Sequence, residues 1–230
     1  MNFEKWREKV FIFNIYSLFH YFIFIHIAML FYPGGTRLNP NSQGYSFFNN
    51  FISDLGLIRS YSGQLNTISW LFFTISMIIS GISLILFYIA IKHFFKTKNQ
   101  KIIINIGSFF GIIIGISIII IGLTPWDKFA ELHDRFAEIS FITTVITTFF
   151  YILAIFMNET YPNRYGYILT IYMLVSVVFI VIMIIVGSIT TEYELMLIVT
   201  MQKVFSYTGT ICGFFICYSA WKLEKSDKIN

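Results

Sequence analysis

Three short segments of this 230-residue chain carry side chains able to do chemistry: Ser53-Asp54, Asp127 with His133, and Gln202-Lys203. An Asp and a His within reach of each other form a general acid–base pair or half of a metal site. Ser53 as nucleophile, His133 as base and Asp54 or Asp127 as orienter would make a hydrolytic triad. No Gly-x-Ser-x-Gly elbow accompanies Ser53. A zinc hydrolase needs about three protein ligands, so two carboxylates would have to join His133; the identity of any metal or cofactor stays open. Lys203 lies inside an apolar stretch, where a charge costs about 2.5–3.5 kcal/mol on insertion scales. It therefore needs a partner: Asp54, Asp127 or a lipid phosphate. Gln202, Lys203, Asn66 and Arg59 are candidate substrate-binding residues, with Lys203 and Arg59 suited to phosphate. The same contacts would serve equally well as a structural clamp between helices.

The elements that must position these residues are membrane helices. The chain is 57% hydrophobic and only 12% charged, against about 25% charged residues in a soluble domain. Apolar runs predict six spans, at about 10–32, 67–91, 102–123, 136–157, 166–187 and 196–220, in one domain covering 1–230. The fold class is thus an all-α integral membrane bundle. Cys212 and Cys217 share the last span and offer neither a disulfide framework nor zinc spacing. His20 and His26 lie on different faces of the first span and read as core or interface residues, not as a haem pair.

Lys and Arg counts orient the bundle. The N-terminus, the second and fourth connections and the C-terminus together hold eleven basic residues, Lys228 among them. The opposite loops hold four: Arg37, Arg59, Lys128 and Arg135. Both termini are therefore expected to be cytoplasmic, and the three candidate segments to lie at the outer side.

The first outer loop, about 33–66, opens with the turn signal Pro33-Gly34-Gly35. From Tyr45 to Leu55 a short interfacial helix is expected. At 100° per residue its Phe47, Phe48, Phe51, Ile52 and Leu55 would share a lipid face, with Gly56 as its stop. Small and polar stripes mark inward faces, such as Asn66, Ser69, Ser76, Ser80 and Ser83 in the second span and Gly111 and Gly115 in the third. Thr124-Pro125 reads as the start of the fourth helix, with Thr124 as N-cap. Asp127, Glu131, Asp134 and Glu138 then form an outer acidic stripe. His133 heads a second stripe through Ala137, Ser140, Thr144 and Thr147, which turns it into the bundle near its outer mouth. The fifth span is nearly featureless and is expected to face lipid most.

The run Asn50-Phe51-Ile52-Ser53-Asp54-Leu55-Gly56 resembles the signature of a prokaryotic six-helix membrane family known only as domain of unknown function 998 (DUF998). Asn66 fits that pattern, as does Gly122-Leu123-Thr124-Pro125-Trp126-Asp127 followed by His133 and Ala137. The layout is more distantly similar to the FRAG/DRAM/Sfk group, which is tied to GPI-anchor lipid remodelling, lysosomal membranes and lipid asymmetry. The resemblance implies a polar pocket on the outer side and a lipid-related role in a prokaryotic cell membrane. It supplies no reaction, and Gln202 stands where an acidic residue is expected in relatives. Two functions follow as expectations: a hydrolase or transferase acting on lipid from the outer leaflet, or a non-catalytic lipid-binding or scaffold protein. Membrane lipid is the expected partner and nucleic acid is not.

Overall fold

In the computed structural model, residues 3–226 are described and form six long helices: α1 (Phe3–Leu30), α2 (Thr67–Ala90), α3 (Lys98–Leu123), α4 (Trp126–Phe156), α5 (Arg164–Val186) and α6 (Glu192–Ser226). All six are long and apolar enough to cross a membrane. Lys228 lies outside the described residues. Apart from α2, the helices begin a few residues before the apolar stretches, because polar residues at a span's end still take helical backbone hydrogen bonds. The largest extension is in α4, whose acidic first turns precede the apolar run. α5 is the least buried of the six spans, with 17% of its most apolar window inside the protein.

Each helix packs against the next in sequence, and α6 returns to pack against α1. The result is a closed ring. The α2–α3 crossing is tight: a Cβ on Gly81 would meet the Gly115 carbonyl oxygen at 2.5 Å, and one on Gly115 would meet the Gly81 carbonyl at 2.8 Å. Two apolar clusters close the ring's ends. One gathers Phe11, Phe87, Phe94, Ile155 and Tyr161 near the chain termini. The other gathers Ile25, Tyr32, Ile52, Leu55, Phe73 and Ile121 under the first loop.

That loop does not contain the expected interfacial helix. It is a folded strap of turns with one 3-10 turn, Ser53–Gly56. Side chains there take the backbone groups that a helix would use, a competition open to Asn and Asp. Asn50 Oδ1 accepts from the Ser46 N–H, and Asp54 Oδ2 accepts from the Phe51 N–H. The Tyr45 hydroxyl donates to the carbonyls of Asn50 and Phe51. Phe47 and Phe48 remain exposed, whereas Ile52 and Leu55 turn into the core. Gly35, at φ +85°, sits where a Cβ would be 2.3 Å from the Ser62 nitrogen, so only glycine fits that turn.

Thr124 does not cap α4. Its hydroxyl donates to the Ile120 carbonyl, closing α3, and Pro125 takes the N-cap position of α4. A kink at Phe129 (φ −135°, ψ 45°) follows in the second turn of α4.

Adding a methyl at Gly81 must push the two helix backbones apart, and overpacking of this kind typically costs about 1–3 kcal/mol. Gly81→Ala is expected to lower the thermal midpoint of the detergent-solubilised protein, followed by circular dichroism. An unchanged midpoint would show that the crossing is looser than described.

Candidate active site

The first loop is fastened to the helix ends by polar contacts, and these contacts place the candidate residues. Asn66, at the head of α2, donates from Nδ2 to the Leu55 and Leu57 carbonyls at 3.0 and 2.9 Å. Asp127 accepts the Ile58 and Arg59 N–H groups at 2.9 and 3.3 Å. Gln202 Oε1 accepts the Ile52 N–H at 2.8 Å. Lys203, 2% exposed, donates from Nζ to the Asn50 carbonyl at 2.6 Å. It lies over the rings of Tyr45 and Phe47, 5.4 and 5.1 Å from their centroids.

Lys203 is thus not ion-paired with Asp54 or Asp127. Among the described residues no carboxylate stands within 4.0 Å of its nitrogen, and a backbone carbonyl and two aromatic faces take the carboxylate's place. Lys203 lines neither of the two cavities described below. Asp127 likewise binds the loop's backbone instead of orienting His133. Arg59 is exposed and donates to the Gly63 carbonyl at 3.0 Å, outside both cavities described below.

Asp54 is buried within its own turn. Its Oδ2 accepts from Asn50 Nδ2 at 3.1 Å and from the Phe51 N–H at 2.8 Å. Burial pushes this carboxyl up from its ordinary 3.8 to about 6, against the opposing pull of the Asn50 and Phe51 hydrogen bonds and of Arg37 and Lys203.

His133 is 4% exposed, and its Nδ1 stands 2.7 Å from the Thr124 carbonyl oxygen. A carbonyl only accepts, so the proton sits on Nδ1 and the Nε2 lone pair is left available. Nε2 makes no hydrogen bond among the described residues. The orienting group of this histidine is therefore a backbone carbonyl at the start of the kinked α4, in place of the Asp54 or Asp127 expected from sequence.

Two cavities meet at His133. The inner one, of about 300 Å³, runs through the middle of the ring between largely apolar walls. The other, of about 260 Å³, is a polar mouth lined by Arg37, Asp54, Tyr61, Trp126, Asp134 and Glu138. Ser53, His133 and Gln202 line both. The structure thus brings Ser53, Asp54, His133 and Gln202 together and leaves Asp127, Asn66, Lys203 and Arg59 as fastenings or bystanders. Ser53 and His133 are not hydrogen-bonded to each other. No group of three His, Cys, Asp or Glu among the described residues could hold a metal ion.

Sequence reasoning used Arg37 only as a charge in the topology count. Its guanidinium stands 4.9 Å from the Trp126 ring centroid and 5.7 Å from that of Phe51. Trp126 is itself held by its indole N–H donating to both Asp134 carboxylate oxygens at 3.1 Å. These contacts set an exposed guanidinium at the mouth, where it also faces the Tyr61 hydroxyl and the Asp54 carboxyl and offers positive charge to an anion.

The raised Asp54 carboxyl has a definite pH signature. The folded protein holds this proton more tightly than the unfolded chain, so the stabilisation is complete below about pH 4 and is lost as pH rises through about 6. The full effect is up to about 3 kcal/mol, the free energy of moving a pKa from 3.8 to about 6. The difference in thermal midpoint between the native protein and Asp54→Asn is expected to move in the variant's favour from pH 4 to pH 7. A difference that stays constant across that window would show Asp54 to be solvated. No family model, no curated protein and no solved structure matches this chain, so the family resemblance rests on its two short motifs alone.

Proposed function

We propose that this protein is a membrane-embedded hydrolase or transferase. It would act on the ester of an amphiphile whose chain enters the ring and whose head group stays in the mouth. The observation that carries this reading is His133. A buried imidazole of fixed tautomer, with a free Nε2, lies where an apolar intramembrane cavity opens into a polar one. Ligand pockets combine largely apolar walls with a few convergent polar groups in this way. Perturbed titratable groups such as Asp54 tend to gather in them.

In the reaction we infer, the Ser53 hydroxyl attacks the ester carbonyl while His133 Nε2 takes its proton. His133 returns that proton to the leaving alcohol as the carbon–oxygen bond breaks, which leaves an acyl group on Ser53. Water or an acceptor alcohol, deprotonated by the same Nε2, then attacks the acyl carbonyl; the acyl–Oγ bond breaks, Nε2 returns the proton to Ser53, and the acid or a new ester leaves. Asp54 and Gln202 act as positioning residues, because they fix the turn that carries Ser53. Arg37 holds a phosphate or carboxylate of the head group. The excess of basic residues at the opposite end of the bundle supports a mouth at the outer leaflet, and the cell membrane of a prokaryote belongs to the same reading. Membership of the DUF998 family is part of the same proposal.

Two observations favour the other reading, a non-catalytic lipid-binding or scaffold protein. Asp54 is satisfied within its own loop, and Ser53 has no hydrogen bond to His133. An alkyl fluorophosphonate separates the two, since it phosphonylates an activated serine with loss of fluoride. Mass spectrometry of the treated protein is expected to find one adduct on Ser53. The adduct should vanish in Ser53→Ala and form at least about 100-fold more slowly in His133→Ala, the usual contribution of a general base. A folded protein that acquires no adduct is a binding or scaffold protein.

A further inference from the structure

The inner cavity is not a plain hydrocarbon slot. Hydroxyls in membrane helices usually donate back to a carbonyl of their own helix, and α4 follows this habit at Ser140, Thr143, Thr144 and Thr148. Thr147, among them in sequence and 3% exposed, does not. Its Oγ1 is buried with no hydrogen-bond partner. Ser80 Oγ, on α2, is in the same state. Both residues line the inner cavity. Leaving a buried hydroxyl unsatisfied costs about 1–3 kcal/mol, and a rotation of either side chain toward its own helix would normally avoid that.

Their depth can be read from the helix rise. Thr147 lies 14 residues beyond His133 in α4, about 21 Å along the axis. It is one turn, about 6 Å, short of Tyr151, whose ring meets that of Tyr88 at 5.6 Å. The cavity thus reaches most of the way through a hydrocarbon core about 30 Å thick. Its volume of about 300 Å³ is at the lower end of the range of about 300–1,000 Å³ for ligand pockets. A cavity so long and so small admits one chain, not the two of an ordinary membrane phospholipid.

We propose that the ligand is a single-chain amphiphile with an anionic head group on Arg37 and a neutral oxygen, such as a hydroxyl or carbonyl, on its chain in the inner half of the ring. Thr147 and Ser80 donate to that oxygen. This substrate class rests on the reading above in one respect only, that a chain enters through the mouth; it does not require Ser53 to react.

The probes are medium- and long-chain saturated fatty acids and their ω-hydroxy counterparts, titrated into the detergent-solubilised protein with binding followed by calorimetry. At the chain length that reaches Thr147, the ω-hydroxy acid is expected to bind about tenfold more tightly than its parent, the gain of one well-made hydrogen bond. The variant Thr147→Val with Ser80→Ala should erase the gain and leave the parent acid's affinity intact, while Thr147→Ser should keep it. Parent acids that bind as tightly as every ω-hydroxy counterpart would overturn the inference and leave chain entry standing, as would a gain that survives in the double variant. Binding of neither kind of acid would overturn chain entry as well. Binding with the gain but without fluorophosphonate labelling of Ser53 would uphold the inference and remove only the catalytic step.

Discussion

A lysine nitrogen sealed inside a ring of apolar helices must be solvated by something, and the rest of the site follows from how this is done. Lys203 meets the Asn50 carbonyl and the faces of Tyr45 and Phe47. All three belong to the first loop. The loop is thereby drawn over the end of the ring, where Gln202, Asp127 and Asn66 hold its remaining backbone groups. A buried donor left without its acceptor costs more than a made hydrogen bond returns, so the strap and α6 are energetically tied. Ser53 and Asp54 have their positions because that tie exists.

Under the strap, the closed ring leaves space that its side chains do not fill. Close-packed interiors rarely tolerate this; residues of both apolar clusters, Phe73 and Ile121 of one and Phe87 and Tyr151 of the other, form part of its walls. The kink of α4 at Phe129 accompanies the turn of His133 onto the Thr124 carbonyl, which sets the histidine where void and mouth meet. Arg37, beside the Phe51 and Trp126 rings, supplies the mouth's positive charge among Asp54, Asp134 and Glu138.

Much of this was legible in the sequence, for identifiable reasons. The spans announced themselves through apolar runs, and the second stripe of α4 correctly turned His133 inward, because a membrane helix has only one non-lipid face to offer. Asp54, Ser53 and Gln202 drew attention because polar residues are scarce here, and the structure sets all three at the mouth. What could not be read were contacts made to backbone. The carbonyls of Asn50 and Thr124 carry no residue-type signal, so the sequence offered Lys203 only Asp54, Asp127 or a lipid phosphate, and His133 an Asp or a metal. The strap looked helical because the spacing of Phe47, Phe48, Phe51, Ile52 and Leu55 fits 100° per residue. Side-chain capture of the backbone by Asn50 and Asp54 outweighs that spacing. Arg37 stayed hidden because one of its two rings, Trp126, is distant in the chain.

Photo-crosslinking tests the central claim, a chain site inside the ring, most directly. A fatty acid carrying a diazirine near its chain end would be irradiated with the detergent-solubilised protein and the adducts mapped by mass spectrometry. Adducts on cavity-lining residues of the inner half, such as Tyr88, Tyr151 and Cys217, are expected, together with their loss under an excess of unlabelled fatty acid. Adducts confined to the lipid-exposed face of α5, at Ile184 and Ile185, would contradict it.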